Sequence, residues 1–173
     1  MPMRVLTLTT PDIENGFGCR VTIWVAGCNR HCPGCHNPHT WAYNQGKKLI
    51  SVEVLLKIYE QVDKDYIQGI TISGGDPFDQ DEESLNDLLF FIKDFKINFP
   101  DKDIWIYSGG LYEDFIKNDT IREILLWSDV LVDGPFIQEK KLLDLPFRGS
   151  TNQRIIDLKK SLFSDTIVEI PVN

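Results

Sequence analysis

Three cysteines, Cys28, Cys32 and Cys35, lie within eight residues of the chain. Thiolate sulfur is a preferred ligand of zinc and of iron–sulfur clusters. Spacings of three and then two intervening residues let these side chains surround one face of a compact metal centre, and Pro33 and Gly34 suit the tight turn that this requires. If the centre is a cubane 4Fe–4S cluster, three thiolates leave one iron with an exchangeable position.

Zinc is the main alternative, because all three histidines of the chain (His31, His36 and His39) lie in the same loop. The ligand count of a site with three cysteines and one histidine is therefore met. Structural zinc, however, usually takes two closely spaced ligand pairs separated by a longer loop, so the spacing favours an iron–sulfur cluster. A disulfide framework is disfavoured, since disulfides usually join distant segments of secreted and often smaller chains.

Short apolar runs alternate with helical patterns, which predicts an α/β fold with a parallel sheet, open or curled into a barrel. Ser51 is a predicted N-cap, and the acidic start Asp81–Glu83 suits the positive end of a helix dipole. Helices are predicted after both, with one or two more over 111–127. Strands are predicted at residues 21–26, 69–73, 103–107 and 129–133, with a final pair around 153–158 and 166–172.

Unusual residues follow each of the first four predicted strands. The cysteines follow the first, Gly74-Gly75-Asp76-Pro77 the second, Ser108-Gly109-Gly110 the third and Asp133-Gly134-Pro135 the fourth. The carboxyl ends of parallel strands lie on one face of a sheet, and ligands bind there. We therefore expect these four motifs to converge on one site.

The composition limits the classes of partner and compartment. A chain of 173 residues favours one domain, residues 1–173, with a sizeable core. A formal net charge of −8 argues against a nucleic-acid partner, because such partners are bound by basic side chains. No apolar run reaches membrane-spanning length, and the N-terminus lacks the apolar core of a signal peptide. We therefore expect a cytoplasmic protein without a membrane partner.

Beyond these patterns, several segments resemble one known family. The cysteine spacing together with Gly-Gly-Asp-Pro is similar to the radical S-adenosylmethionine superfamily. More narrowly, the chain resembles the activating enzymes of anaerobic ribonucleoside-triphosphate reductase. Gly34 and Asp76 depart from the wider superfamily as these activases do, whereas His36 stands where they often carry tyrosine. The segments that carry the resemblance are 12–18, Cys28–Trp41, Ser73–Pro77, Asp103–Gly109, Asp129–Phe136 and Phe147–Arg154.

The resemblance implies a fold, two cofactors and a reaction. The fold would be a partial, open parallel (β/α) barrel of about five to six strands, forming a single radical S-adenosylmethionine domain. S-adenosylmethionine would chelate the open iron of a 4Fe–4S cluster, and its reductive cleavage would give methionine and a 5′-deoxyadenosyl radical. This radical would take hydrogen from a glycine of the reductase large subunit. A reduced flavodoxin-like protein, or another low-potential donor, would supply the electron.

The resemblance also implies roles for individual residues. Cys28, Cys32 and Cys35 would be the cluster ligands. Glycines in the second motif would let the backbone approach the methionine amino group closely, and a carboxylate there suits an ammonium. The residues implied in cofactor contact are Gly34, His36, Gly74, Gly75, Asp76, Ser108 and Asp133.

Three residues keep open roles. Arg148 and Arg154 would face either the cofactor or the partner, although basic side chains are more often simply solvated. Cys19 is interpreted as a small buried residue, because a fourth thiolate would close the iron that the reaction needs open.

Two other functions remain as alternatives. The first is an activase of another glycyl-radical enzyme, such as pyruvate formate-lyase; such activases are generally longer, and the segment 148–154 points away from them. The second is a zinc-binding interaction module without catalysis, which would be a colourless protein carrying one zinc and no iron.

Overall fold

A mixed, open sheet of seven strands organises the computed structural model, which describes residues 1–172. The strands are β1 (Arg4–Asp12), β2 (Cys19–Val25), β3 (Lys47–Lys48), β4 (Ile67–Gly74), β5 (Asp103–Tyr107), β6 (Val130–Asp133) and β7 (Arg154–Asp157). The helices are α1 (Val52–Val62), α2 (Glu82–Asn98), α3 (Tyr112–Phe115), α4 (Asp119–Trp127) and α5 (Leu158–Ser164). None of these helices is both long and apolar enough to cross a bilayer.

The strand order is β3-β1-β2-β4-β5-β6-β7. Strands β2, β4, β5 and β6 run parallel, so their carboxyl ends lie at the same end of the sheet. The three outer strands are antiparallel to their neighbours. Only parallel pairs need a long crossover, and residues 13–18 suffice to join β1 to β2 as an antiparallel pair.

The predicted α/β class with an open sheet is therefore confirmed, but two details of the prediction were wrong. The sheet has seven strands instead of five to six, and only its centre is parallel. The barrel-like curvature remains a prediction.

Helix caps and hydrophobic periodicity in the sequence predict most of the helices and strands of the structure. The Ser51 hydroxyl accepts from the Val54 N–H (3.4 Å) at the start of α1, and the Asp81 carboxylate accepts from the Ser84 N–H (2.9 Å) at the start of α2. Residues 111–127 form the two helices α3 and α4, in agreement with the one or two helices predicted there. Strand β1 was missed, and the strand predicted at 166–172 is wrong, because Glu169 forms only an isolated bridge there.

The two faces of the sheet differ in chemistry. One face is apolar, and its strand residues pack with Phe91 and Phe95 of α2 in a single buried cluster. The other face carries Trp105 and Val132 in a smaller apolar cluster beside the fully buried Arg20. Since neighbouring strand residues point to opposite faces, this polar side chain lies away from the helix-covered core.

Arg20 fixes the loop between β1 and β2. Its guanidinium lies 2.6 Å from the Asp103 carboxylate and donates to the Thr71 hydroxyl (2.7 Å) and the Phe17 carbonyl (3.0 Å). Burial raises the pKa of Asp103 despite this ion pair, because loss of solvent outweighs the attraction. The pair therefore serves to position the loop at residues 13–18.

Candidate iron–sulfur and cofactor site

A cavity of about 380 Å³ opens at the carboxyl ends of the parallel strands. Segments that follow β2, β4, β5 and β6 all contribute to its wall, as the placement of the motifs predicts. The predicted site residues that line it are Cys28, Cys32, Cys35, His36, Gly74, Gly75, Asp76 and Ser108. Gly34 and Asp133 do not line it.

The cysteine loop is held against the chain that follows it. The Gly27 N–H donates to the Thr40 carbonyl (2.7 Å), and the Cys28 N–H donates to the Trp41 carbonyl (3.1 Å). Within the loop, the Cys35 N–H donates to the Cys32 carbonyl (3.0 Å), which closes a turn. The loop therefore presents its thiols from a backbone with defined hydrogen bonds.

The three thiols differ in their surroundings. Cys28 is buried, with 8% of its surface exposed, whereas Cys32 and Cys35 are half-buried. Burial, together with smaller contributions from the nearby carboxylates of Asp76 and Asp79, raises the pKa of the Cys28 thiol to about 11. The Asn37 N–H donates to the Cys35 sulfur (3.4 Å).

The two glycines of the second motif bring two backbones into contact. Gly74 has φ +110°, and a side chain there would place its Cβ 2.6 Å from the Val25 carbonyl oxygen. A Cβ on Gly75 would lie 2.3 Å from the Gly27 carbonyl oxygen. Only glycine allows this approach, so the second motif packs directly on the segment that leads into the cysteines.

The Asp76 carboxylate joins three loops around the cavity. It accepts hydrogen bonds from Arg30 Nε (2.6 Å), the Ser108 hydroxyl (2.7 Å) and the Gly109 N–H (3.0 Å), and a fourth from the Phe78 N–H (2.9 Å). Asp76 is 1% exposed. Donors of the chain itself therefore occupy the carboxylate, and Asp76 acts here as a positioning residue. Its contact with an ammonium group stays a prediction.

Asp133 lies behind the cavity wall. It is fully buried, and its carboxylate accepts from Arg154 Nε (2.9 Å) and Nη2 (2.6 Å) and from the Tyr112 N–H (2.8 Å). Arg154 also binds Glu113, and this hydrogen bond lowers the pKa of Glu113 to about 2. Arg154 is thus occupied by two carboxylates of the chain, and Asp133 ties β6 to β7 and α3.

Of the two remaining residues predicted to contact the cofactor, His36 lines the cavity and Gly34 does not. The His36 ring lines the cavity and lies 5.1 Å from the Phe136 ring. Gly34 has φ +75°, and a Cβ there would lie 3.0 Å from the Gln138 side chain. Gly34 therefore serves the turn between the last two cysteines, as its position suggested.

The segment 135–149 supplies wall residues that sequence reasoning missed or left open. Phe136, Phe147 and Arg148 line the cavity, as does Trp24 on β2. Among residues 1–172, the Arg148 guanidinium makes two long hydrogen bonds, 3.4 Å each, to the Pro146 and Gln153 carbonyls. The sequence could have indicated Trp24 as a wall residue, because it lies between the buried Ile23 and Val25 on β2 and therefore points to the opposite face of the sheet. The segment itself has almost no regular structure and hence no periodicity to detect.

The donor set fits an iron–sulfur cluster. Three free thiols face one cavity of a size typical of small-molecule sites, roughly 300–1,000 Å³. Soft thiolate ligands select such clusters or zinc. Within residues 1–172, no three cysteine, histidine, aspartate or glutamate side chains lie close enough to hold a single metal ion. A cubane cluster does not require this, because each thiolate binds a different iron.

A family profile described as "4Fe-4S single cluster domain" matches residues 14–156. Proteins named anaerobic ribonucleoside-triphosphate reductase-activating protein are also similar to the chain. The one from Enterobacteria phage T4 is 39% identical over 148 residues, covering 83% of this chain and 87% of its own. The one from Haemophilus influenzae is 38% identical over 154 residues, covering 88% and 97%. The one from Pasteurella multocida is 39% identical, covering 83% and 90%.

Fold, thiol-lined cavity and profile together define a single-cluster 4Fe–4S protein with an open α/β sheet. The chain belongs to the family of anaerobic ribonucleoside-triphosphate reductase-activating proteins. This membership favours the reductase-activating interpretation over the formate-lyase and zinc alternatives.

Proposed function

We propose that the chain binds a 4Fe–4S cluster through Cys28, Cys32 and Cys35 and binds S-adenosylmethionine in the same cavity. The observation that carries this proposal is the convergence of the three thiols with Gly74 and Gly75 on one wall. The family profile supports the cluster, and the motif resemblance supports the cosubstrate. We further propose that residues 1–173 form one radical S-adenosylmethionine domain that works in the cytoplasm, where thiols stay reduced.

The bound cluster and cosubstrate would supply one-electron cleavage of the carbon–sulfur bond, giving methionine and a 5′-deoxyadenosyl radical that takes hydrogen from a glycine and leaves a glycyl radical. The chain's own residues would bind the cluster and the cosubstrate, orient them and shield them from water. Gly74 and Gly75 line the cavity, and their close packing on Val25 and Gly27 holds the second motif beside the cysteine loop, where the cosubstrate would bind. Asp76 keeps the loops after β2, β4 and β5 in fixed positions, so that the cavity wall stays preorganised.

The wall residues His36, Phe136 and Phe147 suit the exclusion of water around a reactive species. Arg148 is the basic side chain of the wall with the weakest contacts to the rest of the chain, so it is the better candidate for an anionic group of the cosubstrate. Arg154 is engaged with Asp133 and Glu113, so we assign it to stability.

The relatives are named for activating anaerobic ribonucleoside-triphosphate reductase, and we propose the same target for this chain. The reacting group would be a glycine of the reductase large subunit. The electron would come from a reduced flavodoxin-like protein or another low-potential donor. Nucleic acid and membrane are not among the proposed partners.

The test is to reconstitute the cluster anaerobically, add S-adenosylmethionine, a reductant and the reductase, and record the electron paramagnetic resonance spectrum. We expect a glycyl-radical doublet that is absent with a reductase whose radical glycine is replaced by alanine. A radical on pyruvate formate-lyase and none on the reductase would contradict the proposed target. A colourless protein with one zinc and no iron would contradict the cluster.

A further inference from the structure

Arg30 places a cation inside the spacing of the predicted cluster ligands. It lies two residues from Cys28 and two residues from Cys32. Two residues of chain span at most about 7 Å, so the Arg30 backbone stays close to both cysteines. The Arg30 side chain lines the same cavity as the three thiols. Its charge therefore belongs to the surroundings of any cluster that these thiols bind.

The Arg30 side chain is held in place by two loops. Its Nε donates to the Asp76 carboxylate (2.6 Å) in the loop after β4. It also lies across the loop after β5, where a Cβ on Gly109 would come within 2.5 Å of the Arg30 Cδ and a Cβ on Gly110 within 2.9 Å of Nη2. The two glycines leave room for the arginine, which explains their place in the sequence better than a turn alone does.

Two carboxylates oppose this cation near Cys28. Asp76 is buried, and its hydrogen-bond donors are Arg30 and three neutral groups. Asp79 accepts from the neutral Asn29 N–H (2.6 Å), so it keeps its charge. Burial is the main cause of the raised pKa of Cys28, and on this pKa the two carboxylates act in one direction and the Arg30 charge in the other. Of these three charged groups, only Arg30 offsets negative charge beside the thiol.

We propose that Arg30 raises the reduction potential of the cluster by offsetting the charge of Asp76. This inference rests on the proposed function. Reduction adds one electron to the cluster and neither forms nor breaks a bond, so the cluster becomes more negative by one unit. A nearby cation stabilises that charge and a nearby carboxylate opposes it, and both act more strongly where solvent is partly excluded. The ion pair therefore makes the cluster easier to reduce than an unpaired Asp76 would.

A purely structural role of Arg30 is the simpler explanation. In that case the arginine only helps to hold Asp76, as the Ser108 hydroxyl and the Gly109 N–H also do. The two explanations differ in the sign of their effects. A structural role predicts that loss of either partner disturbs the cluster in the same direction, whereas a role through charge predicts opposite shifts of its potential.

The experiment measures the midpoint potential of the reconstituted protein without S-adenosylmethionine, by anaerobic titration with dithionite followed by electron paramagnetic resonance. The variants are Arg30→Gln, Asp76→Asn, the double variant that combines them, and Arg30→Lys. The matched control is Arg154→Gln, which removes the cation that pairs with Asp133. Arg154 lies on β7, four strands from β2, which corresponds to about 19 Å across the sheet.

We expect Arg30→Gln to lower the potential, because Asp76 is then uncompensated, and Asp76→Asn to raise it, because Arg30 is then uncompensated. Each shift should correspond to about a tenfold change in the equilibrium constant of reduction, which is about 59 mV for one electron. The double variant and Arg30→Lys keep the charge balance and should stay within about twofold of the parent constant. Arg154→Gln should do so as well, because it lies beyond the Debye length of about 10 Å.

Shifts of the same sign in Arg30→Gln and Asp76→Asn would overturn the proposal, as would a parent potential in both or an equal shift in Arg154→Gln. If Arg30→Gln takes up no cluster, the other two single variants decide. A raised potential in Asp76→Asn with a parent potential in Arg30→Lys supports the proposal, and any other result overturns it.

Failure of the proposed function gives a different result. A parent protein that forms no cluster would refute that function and this inference together. Unchanged potentials in variants of a parent that cleaves S-adenosylmethionine would refute this inference alone.

Discussion

Two arginine–aspartate pairs stand at the carboxyl ends of parallel strands, and they do different work. Arg30 pairs with Asp76 just beyond β4, and Arg154 pairs with Asp133 at the end of β6. Both aspartates are buried, at 1% and 0% exposure. Only the first pair lines the cavity.

The partners of each pair explain the difference. Asp76 lies in the loop after its strand and accepts from the loops that follow β2 and β5, so it fixes the cavity wall. Asp133 is still part of its strand and binds β7 and the start of α3. An aspartate at a strand end can therefore serve either the site or the fold, depending on where its carboxylate points.

The largest expected effect comes from removing one of the three thiols that line the cavity. Replacing Cys28, Cys32 or Cys35 by alanine should abolish cluster binding and cleavage of S-adenosylmethionine, because each thiolate would hold one iron. Iron content and product formation measure this. Cys19→Ala is the matched control and should keep both. If one of these three variants retained full cleavage, the cysteine that it replaces would not be a cluster ligand.

A third pair, far from the cysteines, extends the comparison to stability. Arg20 is fully buried whereas the Asp103 side chain is 31% exposed, and Asp103→Asn leaves the buried cation with neutral acceptors only. We expect a loss of about 1–3 kcal/mol in the free energy of unfolding. Denaturant titration measures it. The exposed neighbour Asp101→Asn should change stability by less than about 0.5 kcal/mol, and equal effects of both would contradict the role of the pair.

Replacing either Asp76 or Asp133 by asparagine distinguishes an aspartate that serves the site from one that serves the fold. Asp76→Asn should weaken S-adenosylmethionine binding to the oxidised cluster protein about tenfold, because buried donors lose their acceptor at a cost of about 1–3 kcal/mol. Asp133→Asn should lower the unfolding temperature and leave this affinity within about twofold. Isothermal titration and thermal unfolding separate the two. Equal loss of affinity in both variants would contradict the assignment of Asp76 to the site and of Asp133 to the fold.

The smallest expected effect is a pH dependence of stability that arises from the ion pair between Glu113 and Arg154. The pKa of Glu113 falls from 4.5 to about 2, chiefly through its hydrogen bond from Arg154. A lowered pKa in the folded state contributes stability above pH 4.5 that is lost as the pH falls towards 2. Because Glu113 is half exposed, we expect less than about 1 kcal/mol. Thermal unfolding of the parent and Glu113→Gln should converge at low pH; a constant gap would contradict this.

The sequence predicts the centre of the fold and the core of the site well. Four strands, the caps at Ser51 and Asp81 and the convergence of the cysteines with Gly74 and Gly75 follow from local patterns. Local patterns do not specify tertiary direction, so the sequence left open that Asp133 points away from the cavity and that Arg154 is occupied. The wall formed by 135–149 has no regular structure beyond a short 3-10 helix at Gln138–Lys140, and its position depends on contacts made only in the folded chain.

The most direct test of the account is the electron paramagnetic resonance spectrum of the anaerobically reconstituted, dithionite-reduced protein with and without S-adenosylmethionine. We expect a reduced 4Fe–4S signal whose shape changes when the cosubstrate is added, because the cosubstrate would bind the iron that the three cysteines would leave open. A cluster signal indifferent to S-adenosylmethionine, or no cluster signal at all, would contradict it.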